Sequence, residues 1–156
     1  MFENITNKFT KYVCSNEGEK LAALFSDTGV YHDYIYGNFK GKKNIKNMLT
    51  NYFHRDGENL RWEMYDHAFK DNIGYAKFRF EFTSKIPIYK GKNVVISGIS
   101  FFRLKLGSIV EYKESVNGGI AMVQLGVNPQ KMEKVFLNWF KRELEDQHNL
   151  KNFIKS

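Results

Sequence analysis

The chain is poor in the residues that staple, kink or anchor a polypeptide. It has one cysteine, Cys14, in 156 residues, so it forms no internal disulfide, and a lone thiol without clustered ligands makes no metal site. The two prolines, Pro87 and Pro129, fall in a loop and at the head of a helical segment. No stretch approaches the apolar length of a membrane span. The opening MFENITNKFTKYV has no cationic segment followed by a continuous apolar run, so the expectation is a cytoplasmic protein without a secretory signal. There is no internal repeat, linker or low-complexity tract. The glycines near Gly37 and Gly118 show no phosphate-loop pattern, and no serine sits in a nucleophile elbow.

What is present argues for one folded domain. Apolar residues make up 42% of the chain and aromatics 16%, enough for a real core at this length. Lys and Arg number 24 against 17 acids, a formal net charge of +7. The charge is scattered, and its densest runs, Lys40 to Lys46 and Lys85 to Lys92, fall in loops and on an exposed helix face. A solvated surface explains them, and the expectation is no nucleic-acid or membrane partner. The aromatics follow core parities instead of interleaving with lysines, which also counts against nucleic acid.

In order, Phe2, Ile5, Phe9, Tyr12 and Val13 recur at helical spacing over residues 3–14. Asn16 and Glu19 predict a capping box opening a second short helix, which Ser26 to Gly29 ends. Val30 to Tyr34 reads as a strand and Asn38 to Gly41 as a turn. Ile45, Met48, Leu49, Tyr52 and Phe53 stripe a third helix, stopped at Arg55-Asp56-Gly57. Leu60 to Phe69 and Gly74 to Thr83 read as strands about an Asp71-Asn72 turn, with Ala76, Phe78, Phe80 and Phe82 on one face. Val94 to Gly126 contains a long hairpin turning at Leu106-Gly107-Ser108 and broken at Gly118-Gly119. Asn128-Pro129 opens a final helix over 129–147, with Met132, Val135, Phe136, Trp139 and Phe140 along one side. Helices followed by long strands make an α+β domain, and a twisted sheet under three leading helices leaves room for a pocket.

Leu24-Phe25-Ser26-Asp27-Thr28-Gly29-Val30-Tyr31-His32-Asp33, Gly41 before a helix, and FFRLKLGSIVEYKE together resemble the NTF2-like superfamily of cone-shaped α+β folds. The SnoaL-like and ketosteroid-isomerase-like branches are nearest. The resemblance spans about residues 3–127 and leaves the last helix outside it. It implies an NTF2-like cone: a strongly curved mixed or antiparallel sheet covered by three N-terminal helices, with an extra C-terminal helix. Val110 to Asn117 followed by Gln124-Leu125-Gly126 is similar to the end of the phenazine-biosynthesis A/B proteins. By resemblance, Asp33 matches the isomerases' general base, Tyr12 their first-helix oxyanion donor, and Glu114 the acid of the phenazine proteins. The departures are as informative. Ile99 stands where the isomerases carry a second carboxylic acid, which argues against steroid isomerisation. Asn117 stands where the SnoaL cyclases carry an acid/base aspartate, and Trp62 stands near a phenazine-protein histidine. The superfamily's habit implies a homodimer through the outer face of the sheet.

Strand alternation alone puts Glu114 on the apolar face of its strand with Val110, Tyr112 and Val116, and puts Tyr31 and Asp33 on one side of theirs. Desolvated carboxylates and a phenol in one cup suit acid–base work near neutral pH, and two nearby acids push each other's proton affinity up. Asp33, Glu114 and Tyr12 are the candidate catalytic residues. Tyr31, Trp62, Phe78, Phe80, Ile99, Phe101, Tyr112, Val116 and Asn117 are the candidate ligand-binding residues. The expected reaction moves a proton next to a carbonyl of a small hydrophobic molecule, as isomerases, cyclases and dehydratases do, with no cofactor. A non-catalytic binding domain and a dimeric interaction domain are the alternatives. Glu114 is equally read as a satisfied buried partner of a tyrosine, Asp33 as a strand-end cap, and Tyr12 as core. His32, adjacent to Asp33, points the other way, and His54, His67 and His148 lack ligand spacing, so no metal site is expected.

Overall fold

Phe2, Thr6, Phe9, Thr10 and Val13 recur every three or four residues, and they are the buried face of the first helix, α1 (Phe2–Cys14). The structure is a computed structural model that describes residues 1–146. It divides into two compact units, Met1–Leu125 and a second beginning at Gly126. His148 and the last residue of the expected C-terminal helix lie outside the described residues.

A short α2 (Gly18–Ala23) follows, but without the expected capping box. The turn between the helices is tight: the Glu17 N–H closes back on the Tyr12 carbonyl and Asn16 is forced to φ 55°. The Asn16 side chain instead accepts a bond from the Thr50 hydroxyl at 3.2 Å. Strand β1 (Phe25–Asp33) begins five residues earlier than the sequence suggests, because Ser26 to Gly29 form an irregular, register-shifting segment of strand and not a stop. The expected turn at Asn38 is a short strand, β2 (Gly37–Lys40), paired antiparallel with β1. The third helical stretch is continuous in sequence but changes pitch. It runs as α3 (Lys42–Met48), a π turn over Leu49–Phe53, and a final turn α4 (His54–Asp56).

The remaining strands are β3 (Gly57–Lys70), β4 (Ile73–Ser84), β5 (Asn93–Lys105) and β6 (Ser108–Val116). The two-residue turns at Asp71-Asn72 (φ 50° and 65°) and Leu106-Gly107 (φ 50° and 79°) have the left-handed pairs whose twist suits hairpins. Gly118-Gly119 does end β6, and a helix absent from the expectation, α5 (Gly118–Leu125), starts there.

The six strands lie in the order β2-β1-β6-β5-β4-β3. All neighbours are antiparallel except β1 and β6, which run parallel. Register shifts in β3, where Asn59 and Asp66 have positive φ, add local bend to the sheet. This is the expected α+β cone, with α1 to α3 against one face of a curved sheet. The core between them is aromatic: Phe9 stacks on Tyr31 at 5.7 Å and lies 4.6 Å from Tyr112 and 5.4 Å from Phe102, centroid to centroid. Gly98 makes room for it, since a Cβ there would run into the Ser115 carbonyl and lie 2.8 Å from the Phe78 ring.

In the second unit, α6 (Pro129–Asp146) is capped as expected, with Asn128 Oδ1 accepting the Lys131 N–H at 2.9 Å. Phe136, Leu137 and Phe140 are exposed along it.

Candidate active site

The site is set by the one parallel junction of the sheet. Tyr31 of β1 is level with Tyr112 of β6, and parallel strands advance together. Two residues further on, Asp33 and Glu114 therefore come side by side on the inner face, with Tyr31 and Tyr112 beneath them. Asp33 is buried, 8% exposed, and Glu114 is half-buried.

The carboxylates are held from the backbone. Asp33 ends β1, and its Oδ1 accepts the N–H groups of Ile35 at 2.9 Å and Tyr36 at 2.6 Å. Glu114 Oε1 accepts the Tyr34 N–H at 3.2 Å. On its other oxygen Glu114 accepts the Tyr112 hydroxyl at 3.1 Å, which in turn lies 3.0 Å from the Ser100 hydroxyl. Burial first, and then the charge on Asp33, push the Glu114 carboxyl up to about 8. The Tyr34 N–H and the Tyr112 hydroxyl oppose that push without cancelling it. Glu114 is thus shifted toward its protonated form beside Asp33, and the two acids titrate as a pair. Burial raises Tyr31 and Tyr112 well above the usual phenol range, with further push from the neighbouring acids, so both remain hydroxyl donors.

One of those donors is only loosely engaged. The Tyr31 hydroxyl meets strict hydrogen-bonding geometry with no described residue, although Tyr112 lies near enough to act on it both by charge and as a hydrogen-bonding neighbour. The buried Trp62 Nε1 also meets that geometry with no described residue. Native interiors pair their polar groups, so both atoms are exceptions to that rule.

The structure thus brings together Asp33, Glu114, Tyr31 and Tyr112. Trp62 and Phe78 lie deeper on the same face, 5.7 Å apart, with half-buried Phe80 beside Trp62 at 5.2 Å. Val116, also half-buried, packs at the rim against both this core and a smaller cluster of Val94, Ile96 and Ala121. Four expected positions need correction. Tyr12 is half-buried with the Lys20 ammonium 5.9 Å from its ring, whereas the α1 residue that meets Tyr31 and Tyr112 is Phe9, one turn earlier. Ile99 and Phe101 are level with Ser115 and Lys113 on the outer face, and Ile99 is exposed. The inward residue between them is Ser100. Asn117 is exposed beyond the end of β6, where its side chain accepts the Gly119 N–H at 3.1 Å and starts α5. Ser100 and the Tyr34-Ile35-Tyr36 backbone are site components that residue-type reasoning missed. Ser100 was recoverable, since alternation from Phe102 and Leu104 places it inside. Among the described residues no group of three His, Cys, Asp or Glu side chains is placed to hold a metal ion.

The model of the SnoaL-like domain matches residues 9–112, two-thirds of the chain. The chain belongs to the SnoaL-like family. The match takes in Tyr31 and Asp33 and stops at Tyr112, two residues short of Glu114. Solved structures share the fold at low identity. A protein of ketosteroid isomerase-like fold from Catenulispora acidiphila, in complex with trimethylamine, superposes with a TM-score of 0.71 at 14% identity, over 80% of this chain and 93% of that one. A protein from Shewanella putrefaciens assigned as a SnoaL-like polyketide cyclase gives 0.68 at 12%, over 80% and 96%. An LEH-like epoxide hydrolase from M. tuberculosis gives 0.64 at 10%, over 79% and 87%. No curated protein matches this SnoaL-like chain.

Proposed function

We propose that this SnoaL-like domain is a cofactor-free acid–base enzyme acting on a small hydrophobic carbonyl compound. The observation that carries the reading is the Asp33–Glu114 pair, brought together at the parallel junction and held by backbone N–H groups, where burial and the neighbouring acid push Glu114 up to about 8. In this reading Asp33 takes a proton from the carbon next to the carbonyl, and the electron pair moves onto the carbonyl oxygen. The Tyr31 hydroxyl donates to that oxygen as its charge grows, inside a cone where such a bond is strong. Glu114 delivers its proton to the carbon or oxygen that completes an isomerisation, cyclisation or dehydration. The polyketide-cyclase assignment of the Shewanella relative is in keeping with this class of reaction.

The test works on the chemical class and requires no single identified substrate. A panel of small ketones, enones and aldehydes is incubated with the protein in D2O, and exchange of the protons next to the carbonyl is followed by NMR. Accelerated exchange that disappears in Glu114→Gln and Asp33→Asn supports the reading. Exchange that persists in Glu114→Gln would reduce that residue to a binding role, and no exchange across the panel would favour binding without turnover.

A second reading concerns assembly and rests on the outer face of the sheet. Exposed Tyr65, Tyr75 and Ile99 lie there, with the Tyr75 ring 5.4 Å from Phe101. We infer a homodimer through this face, whose apolar side chains a second copy would cover.

A further inference from the structure

The loop joining β1 to β2 has three residues, Tyr34-Ile35-Tyr36, and all three backbone N–H groups are spent on the acid pair. Tyr34 donates to Glu114, and Ile35 and Tyr36 donate to Asp33. Successive N–H groups turned toward one place make an anion-binding concavity. The Asp33 carboxylate turns the first part of the loop and Gly37, at φ 103°, closes it, but Tyr34-Ile35-Tyr36 itself has neither proline nor glycine to fix it.

The anchor is at the far end of the loop. The Tyr36 hydroxyl donates to Asp56 Oδ2 at 2.8 Å, and its ring lies 5.2 Å from Tyr52 and 5.7 Å from Phe53. Asp56 is itself held: Arg55 donates Nε to Oδ1 and Nη2 to Oδ2, both at 2.6 Å. The Asp56 carbonyl accepts the Lys85 N–H at 2.8 Å, and Lys85 Nζ reaches the His54 carbonyl at 2.7 Å. The loop is therefore tied to the last turn of the helical stretch and, through Lys85, to the end of β4.

We propose that Tyr36 and Asp56 are positioning residues that hold these N–H groups on the Asp33–Glu114 pair and so set how that pair titrates. The proposal builds on the acid–base reading, but its measure is a titration and not turnover, so either can fail alone. The titratable groups facing Glu114 are Asp33 and Tyr31 on β1 and Tyr112 on β6. N–H donors favour ionised carboxylates, so slackening the loop moves the pair's midpoints upward.

The experiment is a pH titration of the Glu114 carboxyl carbon by NMR in protein labelled at glutamate. Tyr36→Phe, which removes one oxygen and keeps the ring, is expected to raise the midpoint by about half a unit to one unit. Asp56→Ala should do the same. Asp56→Asn, which still offers Tyr36 an acceptor, should stay near wild type. Lys77→Ala, which removes an outer-face ion pair with Asp66, should leave the midpoint where it is. A folded Tyr36→Phe or Asp56→Ala with an unmoved midpoint overturns the proposal, even if its Tm falls, because that pattern is purely structural. Wild-type protein gives a check independent of any variant's folding. The Tyr34 and Tyr36 amide resonances must shift with the Glu114 midpoint, and amides that ignore it overturn the proposal equally.

Discussion

Glu111 and Glu114 sit three residues apart on β6 and live in opposite electrostatic worlds. Glu111 faces outward. Burial works upward on it, but Lys113 at 3.0 Å and Arg103 at 3.2 Å outweigh that and hold it below the usual carboxylate range. Glu114 faces inward, where burial and a second acid act in the same direction and carry it to about 8. Residue type and strand are the same, so the difference comes from which side of the pleat each occupies and what stands across from it. A glutamate whose neighbours are cations is finished chemistry. One whose neighbours are an acid, a phenol and backbone N–H groups has a proton to give near neutral pH.

The largest expected contrast is in turnover. Glu114→Gln should lower carbonyl α-proton exchange by a factor of about 100 or more, the usual worth of a positioned acid–base group. Glu111→Gln should stay within about twofold of wild type, being on the wrong side of the sheet. Equal losses in the two variants would erase the distinction.

Next comes assembly, which probes the outer side alone. Ile99→Lys should shift the protein toward monomer in sedimentation while leaving Glu114 titration intact. A wild-type protein that sediments as a monomer at high concentration would remove the dimer reading.

A smaller effect is the opposite pH dependence of the two glutamates. Glu114 holds its proton in the folded state from the ordinary 4.5 up to about 8, a range in which the unfolded chain has lost it. The folded state binds more protons there, so stability falls as pH rises across that window, and Glu114→Gln should flatten the fall. Glu111 has a lowered folded value, so its contribution is present above the unfolded value and lost as pH drops through the folded one. Denaturant midpoints measured from about pH 2 to 9 would separate the two slopes. The smallest effect belongs to Lys113→Ala, about 0.2–1 kcal/mol of stability, since that pair is largely solvated.

Parity carried most of what was legible in the residues alone. The alternation of Ala76, Phe78 and Phe80 with Tyr75, Lys77 and Arg79, the two hairpin turns, and the inward aim of Tyr31, Asp33, Tyr112 and Glu114 all follow from a period of two. The β5 run VVISGISFF defeats the same rule because it is apolar on both faces, so Ile99 and Phe101 read as lining when they look outward. Ser26 to Gly29 has the composition of a turn and is carried as an irregular stretch between Phe25 and Val30, the two flanking positions that pair with β6. Asn16 looked like a cap, but the tight turn after α1 sent its side chain to Thr50. The Tyr36–Asp56 link leaves no local trace at all, because it joins residues 20 apart through a hydroxyl whose direction only the folded chain defines.

The bond from the Tyr34 N–H to Glu114 spans 80 residues. During synthesis Asp33 emerges long before the glutamate that completes it, and the strand carrying that glutamate is the last of the sheet to appear. A nascent or truncated chain ending before β6 therefore carries Asp33 without its partner acid, so the sheet and the acid pair are completed by the same strand.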